Sequence, residues 1–236
     1  MFSRIVLSAA LAGLLSGLLW SAIQQVSVVP LILKAETFER AAEPAAGTGD
    51  DHAGHTQKAW TPSAGAERTF YTVIGNVILA VGLSLLLGAC FAVRGHVSWR
   101  QGLIWGLGGF VAFNLAPALG LPPDLPGTEV ASLEARQIWW LATVVLTSIG
   151  LAMLVFLPKV TWKAGGLVLM ALPHVVGAPR PEVAGGLAPA ELEHQFVIAS
   201  LATNAIVWLV LGGLTALFFS NLDRWLGGLL MPTEST

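Results

Sequence analysis

Five uncharged stretches constrain this chain more than any other feature: 5–33, 70–93, 101–121, 138–157 and 196–222 contain no Asp, Glu, Lys or Arg. As helices rising 1.5 Å per residue, they are long enough to cross a hydrocarbon core about 30 Å thick. Charged residues are 11% of the chain, against roughly 25% in soluble domains, so the side chains needed to face water are missing. Mean hydropathy is +0.72. The fold class expected is all-α, a polytopic transmembrane helical bundle forming one membrane domain over 1–236.

A sixth apolar segment, 164–178, is shorter at about 22 Å and contains Pro173 and Gly177. Six spans are expected, with five as the alternative count if 164–178 is short or re-entrant. The apolar run after Arg4 is longer than the roughly 7–15 residues of a signal h-region, and reads as an uncleaved first span.

Charge placement sets the expected orientation, because short cytoplasmic loops retain Lys and Arg. With six spans and the amino terminus in the cytoplasm, the inner segments carry Arg4, Arg94, Arg100, Lys159, Lys163 and Arg224. The outer segments collect carboxylates: Glu36, Glu39, Glu43, Asp50, Asp51 and Glu67, then Asp124, Glu129 and Glu134, then Glu182, Glu191 and Glu193. This is the pattern of a multi-pass inner membrane protein. The segment 34–68 is rich in Ala, Gly, Thr and acids and is expected to be a mobile periplasmic loop.

Small residues recur four apart at Ala9, Gly13 and Gly17, at Gly102 and Gly106, and at Gly212 and Ala216. Such faces let helix backbones approach closely within the bundle; contact with a partner helix or a second copy is the other use of the same pattern. Trp139 and Trp140 are expected at the outer interface, and Trp99 and Trp162 at the inner one. Gln24, Gln25 and Asn204 are polar groups that seek interhelical hydrogen bonds.

The spans carry no carboxylate or lysine for a proton relay, and the chain has no phosphate loop of the G-x-x-x-x-G-K-[ST] type. No HExxH centre or nucleophile–base pair appears in the spans either, so no enzyme activity is expected. A net charge of −2 without a Lys/Arg stripe gives no reason to invoke nucleic acid. The lone cysteine, Cys90, lies in an apolar run and reads as a buried thiol.

Apart from that thiol, His174 is the ionisable side chain inside an apolar segment, and Pro173 beside it interrupts the helical ladder. Broken backbone at membrane depth is tolerated where it is buried in protein or lines a cavity, so Pro173 and His174 are candidates for a pathway and a metal contact. His52 and His55 stand three apart beside Asp50 and Asp51, nitrogen and oxygen donors suited to cobalt, nickel or zinc. Asn114 precedes a Pro/Gly-rich exit that carries Asp124, a further cation candidate, and His194 follows Glu191 and Glu193 at the start of the last span. No resident cofactor is expected; the ligand inferred is a transported divalent cation.

The chain resembles the CbtA family of predicted cobalt transporter subunits. Carrying the resemblance are Met1-Phe2-Ser3-Arg4, Glu67-Arg68-Thr69, Asn114-Leu115-Ala116-Pro117, the 121–127 run LPPDLPG, Ala135-Arg136-Gln137-Ile138-Trp139-Trp140, and Leu172-Pro173-His174 through Pro181. Such a resemblance implies uptake of cobalt for cobalamin synthesis and a small single-span, histidine-containing partner, CbtB. It carries over no catalytic residues.

Overall fold

The computed structural model describes residues 2–42, 62–63, 65–95, 97–182 and 185–230, with backbone alone at Arg4 and 223–230. Among them the regular structure is helical: α1 (Phe2–Ser27), α2 (Val29–Ala42), α3 (Ala66–Arg94), α4 (Trp99–Phe110), a π-helical turn (Val111–Leu115), α5 (Ala116–Ala118), α6 (Leu133–Phe156), α7 (Val160–Val176) and α8 (Ala190–Leu230).

Four helical segments are long and apolar enough to cross a membrane: Ile5–Ser27, Ala66–Arg94, Leu133–Phe156 and Ala190–Leu222. The six expected spans are therefore not all matched, for two local reasons. Pro117 has no N–H to give the Phe113 carbonyl, so the ladder of the expected 101–121 span widens ahead of it: Ala116 N–H bonds to Val111 O, five residues back. Backbone angles stay right-handed through both junctions, so 99–118 follows one helical path of about 30 Å. The expected 164–178 span is instead the apolar helix Val160–Val176, 17 residues and about 25 Å long.

The first span also differs from expectation. Rather than running unbroken to residue 33, α1 ends at Ser27, and α2 continues from Val29 to Ala42, into the segment expected to be loop. Pro30 explains the division, since it cannot donate to the ladder. Val28, at the junction, and Ala35 of α2 pack with Leu125, Leu192 and Phe196, forming a small apolar cap over that end of the bundle.

Backbone-to-backbone contact sets the packing. A Cβ added at Gly13 would stand 2.4 Å from Val81 Cα, and one at Gly17 would stand 2.6 Å from Val77 Cα, which fixes α1 and α3 antiparallel. Likewise a Cβ added at Gly102 would run into Gly212 O and one added at Gly106 into Trp208 O, so α4 lies with its backbone directly against that of α8. The small-residue faces are thus used inside this chain. Polar ties add to the packing: Asn76 Nδ2 donates to Gln24 Oε1 (2.7 Å) and Ser21 Oγ (3.0 Å), Gln25 Nε2 donates to Thr69 Oγ1 (3.2 Å), and Ser84 and Thr215 share a hydrogen bond of 2.7 Å.

α6 and α7 form a separate antiparallel hairpin, again through glycines: a Cβ at Gly150 would meet Gly166 O at 2.6 Å. Its link to the rest is made by side chains, including the ring pairs Trp105–Phe156 and Phe113–Trp140 and the Arg94 guanidinium over Phe156. The antiparallel registers put Arg94, Arg100, Lys159 and Lys163 at one end of the bundle, where Trp99 and Trp162 are exposed as an aromatic belt requires. Carboxylates gather at the opposite end. There Glu129 N–H donates to Gly185 O and Leu187 N–H to Gly127 O, tying the two loops together.

Candidate functional site

At the acidic end, the seam between the two helical bodies opens into a cavity of about 340 Å³. The π-helical turn supplies Asn114, α6 supplies Arg136, Gln137 and Trp140, α8 supplies Asn204, and the loop after α5 supplies Asp124; Phe113, Leu121 and Leu201 form apolar wall. A π turn is a common device for re-aiming a side chain at a functional site. Here it brings Asn114 Oδ1 within 2.7 Å of Trp208 Nε1, which donates to it and fixes the amide.

Asp124 is not a free carboxylate. Its Oδ2 accepts from Arg136 Nη2 at 2.9 Å, and the two side chains are 28% and 30% exposed, so solvent screens the pair only in part. Burial pushes the Asp124 carboxyl above its ordinary range, and the Arg136 charge opposes that shift. The same pair also lines a second, outer cavity of about 550 Å³ together with Arg68, Thr128 and Phe196. Arg68 in turn holds Glu36 at 2.7 Å. At this mouth, therefore, carboxylates are matched by guanidinium groups, and local charge is more balanced than the sequence count of acids implied.

The other candidates lie apart. Pro173 is in the last turn of α7, and the helix runs through it to Val176 before Gly177 (φ 89°) ends it, so the ladder is not broken at depth. Trp139 is buried; its Nε1 donates to Pro173 O at 3.1 Å and its ring meets His174 edge-on at 5.8 Å between centroids. Neither Pro173 nor His174 lines the two cavities. His194 is exposed on the first turns of α8. His52 and His55 lie outside the described residues. Among the described residues no group of three His, Cys, Asp or Glu side chains could hold a metal ion.

Asn114 and Asp124 are thus the two sequence candidates that the fold brings together. Arg136, Gln137 and Trp140 were not foreseen as part of the site, although all three belong to the 135–140 motif. The signal for Arg136 and Gln137 was available in polar residues at the start of an apolar helix, with Arg136 twelve residues from Asp124. Asn204, expected to make an interhelical hydrogen bond, lines the cavity instead.

Long apolar helices joined by close glycine contacts, charges sorted to the two ends and a polar cavity between helices define a multi-pass helical membrane protein. The model of the CbtA family, described as "probable cobalt transporter subunit", matches residues 2–220, and the chain belongs to that family. A subunit implies at least one further component, and transport rather than catalysis is the family's described role. No curated protein and no solved structure matches the chain.

Proposed function

We propose that this protein is the permease, or a permease subunit, through which a divalent transition-metal cation enters the cell, with cobalt for cobalamin synthesis as its cargo. The observation that carries the reading is the cavity at the seam, where the oxygens of Asn114, Gln137, Asn204 and Asp124 meet beside the Arg136 guanidinium in a wall otherwise formed by apolar side chains. Six waters at about 30 Å³ each occupy roughly 200 Å³, so the space suits a cation that still holds much of its hydration shell. Oxygen ligands fit such a hydrated ion better than they fit a stripped one.

In this reading the chain crosses the inner membrane six times, with 99–118 and Val160–Val176 as the third and fifth crossings. The amino terminus and the basic end face the cytoplasm, and the cavity opens outward. His52 and His55 capture metal, Asp124 and Asn114 receive it, and His194 and His174 are weaker contacts outside the cavity. Inward movement follows the membrane potential, worth about 2.3 kcal/mol per charge per 100 mV and twice that for a divalent ion. A small single-span, histidine-containing partner completes the transporter.

A second reading, an accessory protein that docks partner helices without transporting, is favoured by α7, which packs on α6 and leaves Leu167, Val168, Val175 and Val176 exposed. Radioactive cobalt accumulation separates the two. Vesicles containing the chain and its partner are expected to take up more cobalt than vesicles containing the partner alone, and Asn114→Leu should remove the difference. Uptake no greater than that of empty vesicles would leave only the accessory reading.

A further inference from the structure

The outer cavity differs from the seam in its charge. Arg68 and Arg136 both line it, and Asp124 is its one carboxylate, so the wall carries one net positive charge. Glu36, which holds Arg68, is not part of that wall. A guanidinium has five N–H donors in a planar fork. Arg68 uses Nη1 on Glu36 and Arg136 uses Nη2 on Asp124, and among the described residues neither guanidinium has another hydrogen-bond or ion-pair partner. Their side chains are 41% and 30% exposed, so the unused donors can be reached from outside.

Their depth says what can reach them. Arg68 lies in the first turn of the span Ala66–Arg94 and Arg136 in the first turn of Leu133–Phe156, so both guanidiniums stand where a span leaves the hydrocarbon. Phe70 and Tyr71, just inward of Arg68 on α3, are 60% and 45% exposed, as aromatic side chains at headgroup level are. Ile32, Val130 and Phe196 add apolar surface to the same cavity. We propose that the outer cavity is a binding site for an anionic phospholipid, with the phosphodiester on the unused donors of Arg68 and Arg136 and the glycerol backbone against Ile32, Val130 and Phe196. Arginine forks suit phosphate oxygens, and the single negative charge of phosphatidylglycerol matches the net charge of the wall. The site goes beyond the transport reading and does not depend on what the seam cavity carries.

Native mass spectrometry of the detergent-purified chain with equal amounts of phosphatidylglycerol and phosphatidylcholine tests it. The parent is expected to retain phosphatidylglycerol about fivefold more tightly than phosphatidylcholine, and Arg68→Gln should bring that ratio close to one. Glu36→Gln should raise the ratio above the parent's, because it removes the carboxylate that competes with phosphate for Arg68; an arginine serving only to hold Glu36 would give no such gain. Melting of both variants in phosphatidylcholine micelles within a few degrees of the parent shows that they fold. Glycerol phosphate, which has the phosphate but no acyl chains, is expected to leave the lipid bound. Equal retention of the two lipids by the parent, or a ratio unmoved by Arg68→Gln and Glu36→Gln, would overturn the site. Displacement of the lipid by an equal concentration of glycerol phosphate would overturn the lipid assignment in favour of a soluble phosphate.

Discussion

Two kinds of interface hold this protein together. Within the α1/α3/α4/α8 body, and again within the α6–α7 hairpin, glycines let backbone touch backbone, as at Gly106 against Trp208 O and Gly150 against Gly166 O. Among the described residues, the helices of the two bodies meet through side chains, as in Phe113–Trp140 and Trp105–Phe156, and the loop residue Asp124 adds its pair with Arg136. Lipid supplies no hydrophobic drive for helices to associate, so close approach of backbones is what makes a membrane interface rigid. The seam lacks it. The polar cavity lies there, where one body can shift against the other without breaking the packing inside either.

The sharpest way to break this contrast is to place a side chain where backbones touch. Gly106→Val should cost the frame about 3 kcal/mol or abolish folded protein in detergent, because the atoms it meets are main chain and cannot turn aside. Gly108→Ala, on the same helix with nothing within 4 Å, should melt like the parent. Equal melting of both variants in a detergent thermal-denaturation assay would refute the rigid-frame half of the comparison.

At the seam the expected effects are smaller in stability and larger in transport. Asn114→Leu leaves Trp208 Nε1 without its acceptor, a loss of about 1–3 kcal/mol, and removes a polar group from the cavity. Cobalt uptake should fall while expression and gel-filtration profile stay near normal. Uptake should also fall with pH earlier than an exposed aspartate would dictate. The Asp124 carboxyl sits above its ordinary range because of burial, so lowering the pH neutralises it sooner and removes its hold on a cation. Asp124→Asn should be low throughout and lack that limb of the profile.

The smallest effect is expected on the hairpin. His174→Ala removes an edge-on ring contact with Trp139, worth about 0.5–1.5 kcal/mol, but touches neither cavity. Uptake within about twofold of the parent is expected. A loss as large as that of Asn114→Leu would move the cation's route to the other side of α6.

Much of this architecture could be read from the sequence because lipid demands long uncharged runs, and small residues four apart have few uses other than close packing. The faces carrying Gly13, Gly17, Gly102, Gly106 and Gly212 all pack as that spacing implies. Helix interruptions were harder to read. Pro30 divides the first apolar run, and Pro117 converts one turn to a π turn, yet Pro173, which carries the same chemical handicap, sits in a last turn where it changes little. Fewer helical residues follow Pro117 than follow Pro173, so distance to the helix end does not sort these prolines, and hydropathy does not report the difference either.

The candidate site was half legible. Asn114 and Asp124 stand out as polar residues beside a Pro/Gly-rich exit, but nothing in the sequence chooses the partner of Asp124 among Lys34, Arg40, Lys58, Arg68, Arg136 and Arg180. Only the fold of the 119–132 loop back onto α6 selects Arg136. Trp139 and Trp140 are adjacent in sequence, yet one is buried against Pro173 and the other faces the cavity, a division set by helix geometry rather than residue type.

The most direct test asks whether cobalt travels through the seam. Ala118→Cys in the Cys90→Ala background, reconstituted with the partner, should transport cobalt until a bulky impermeant disulfide-forming reagent fills the cavity. Uptake should then stop and should return when a reductant releases the block. Undiminished uptake after complete modification would contradict the account.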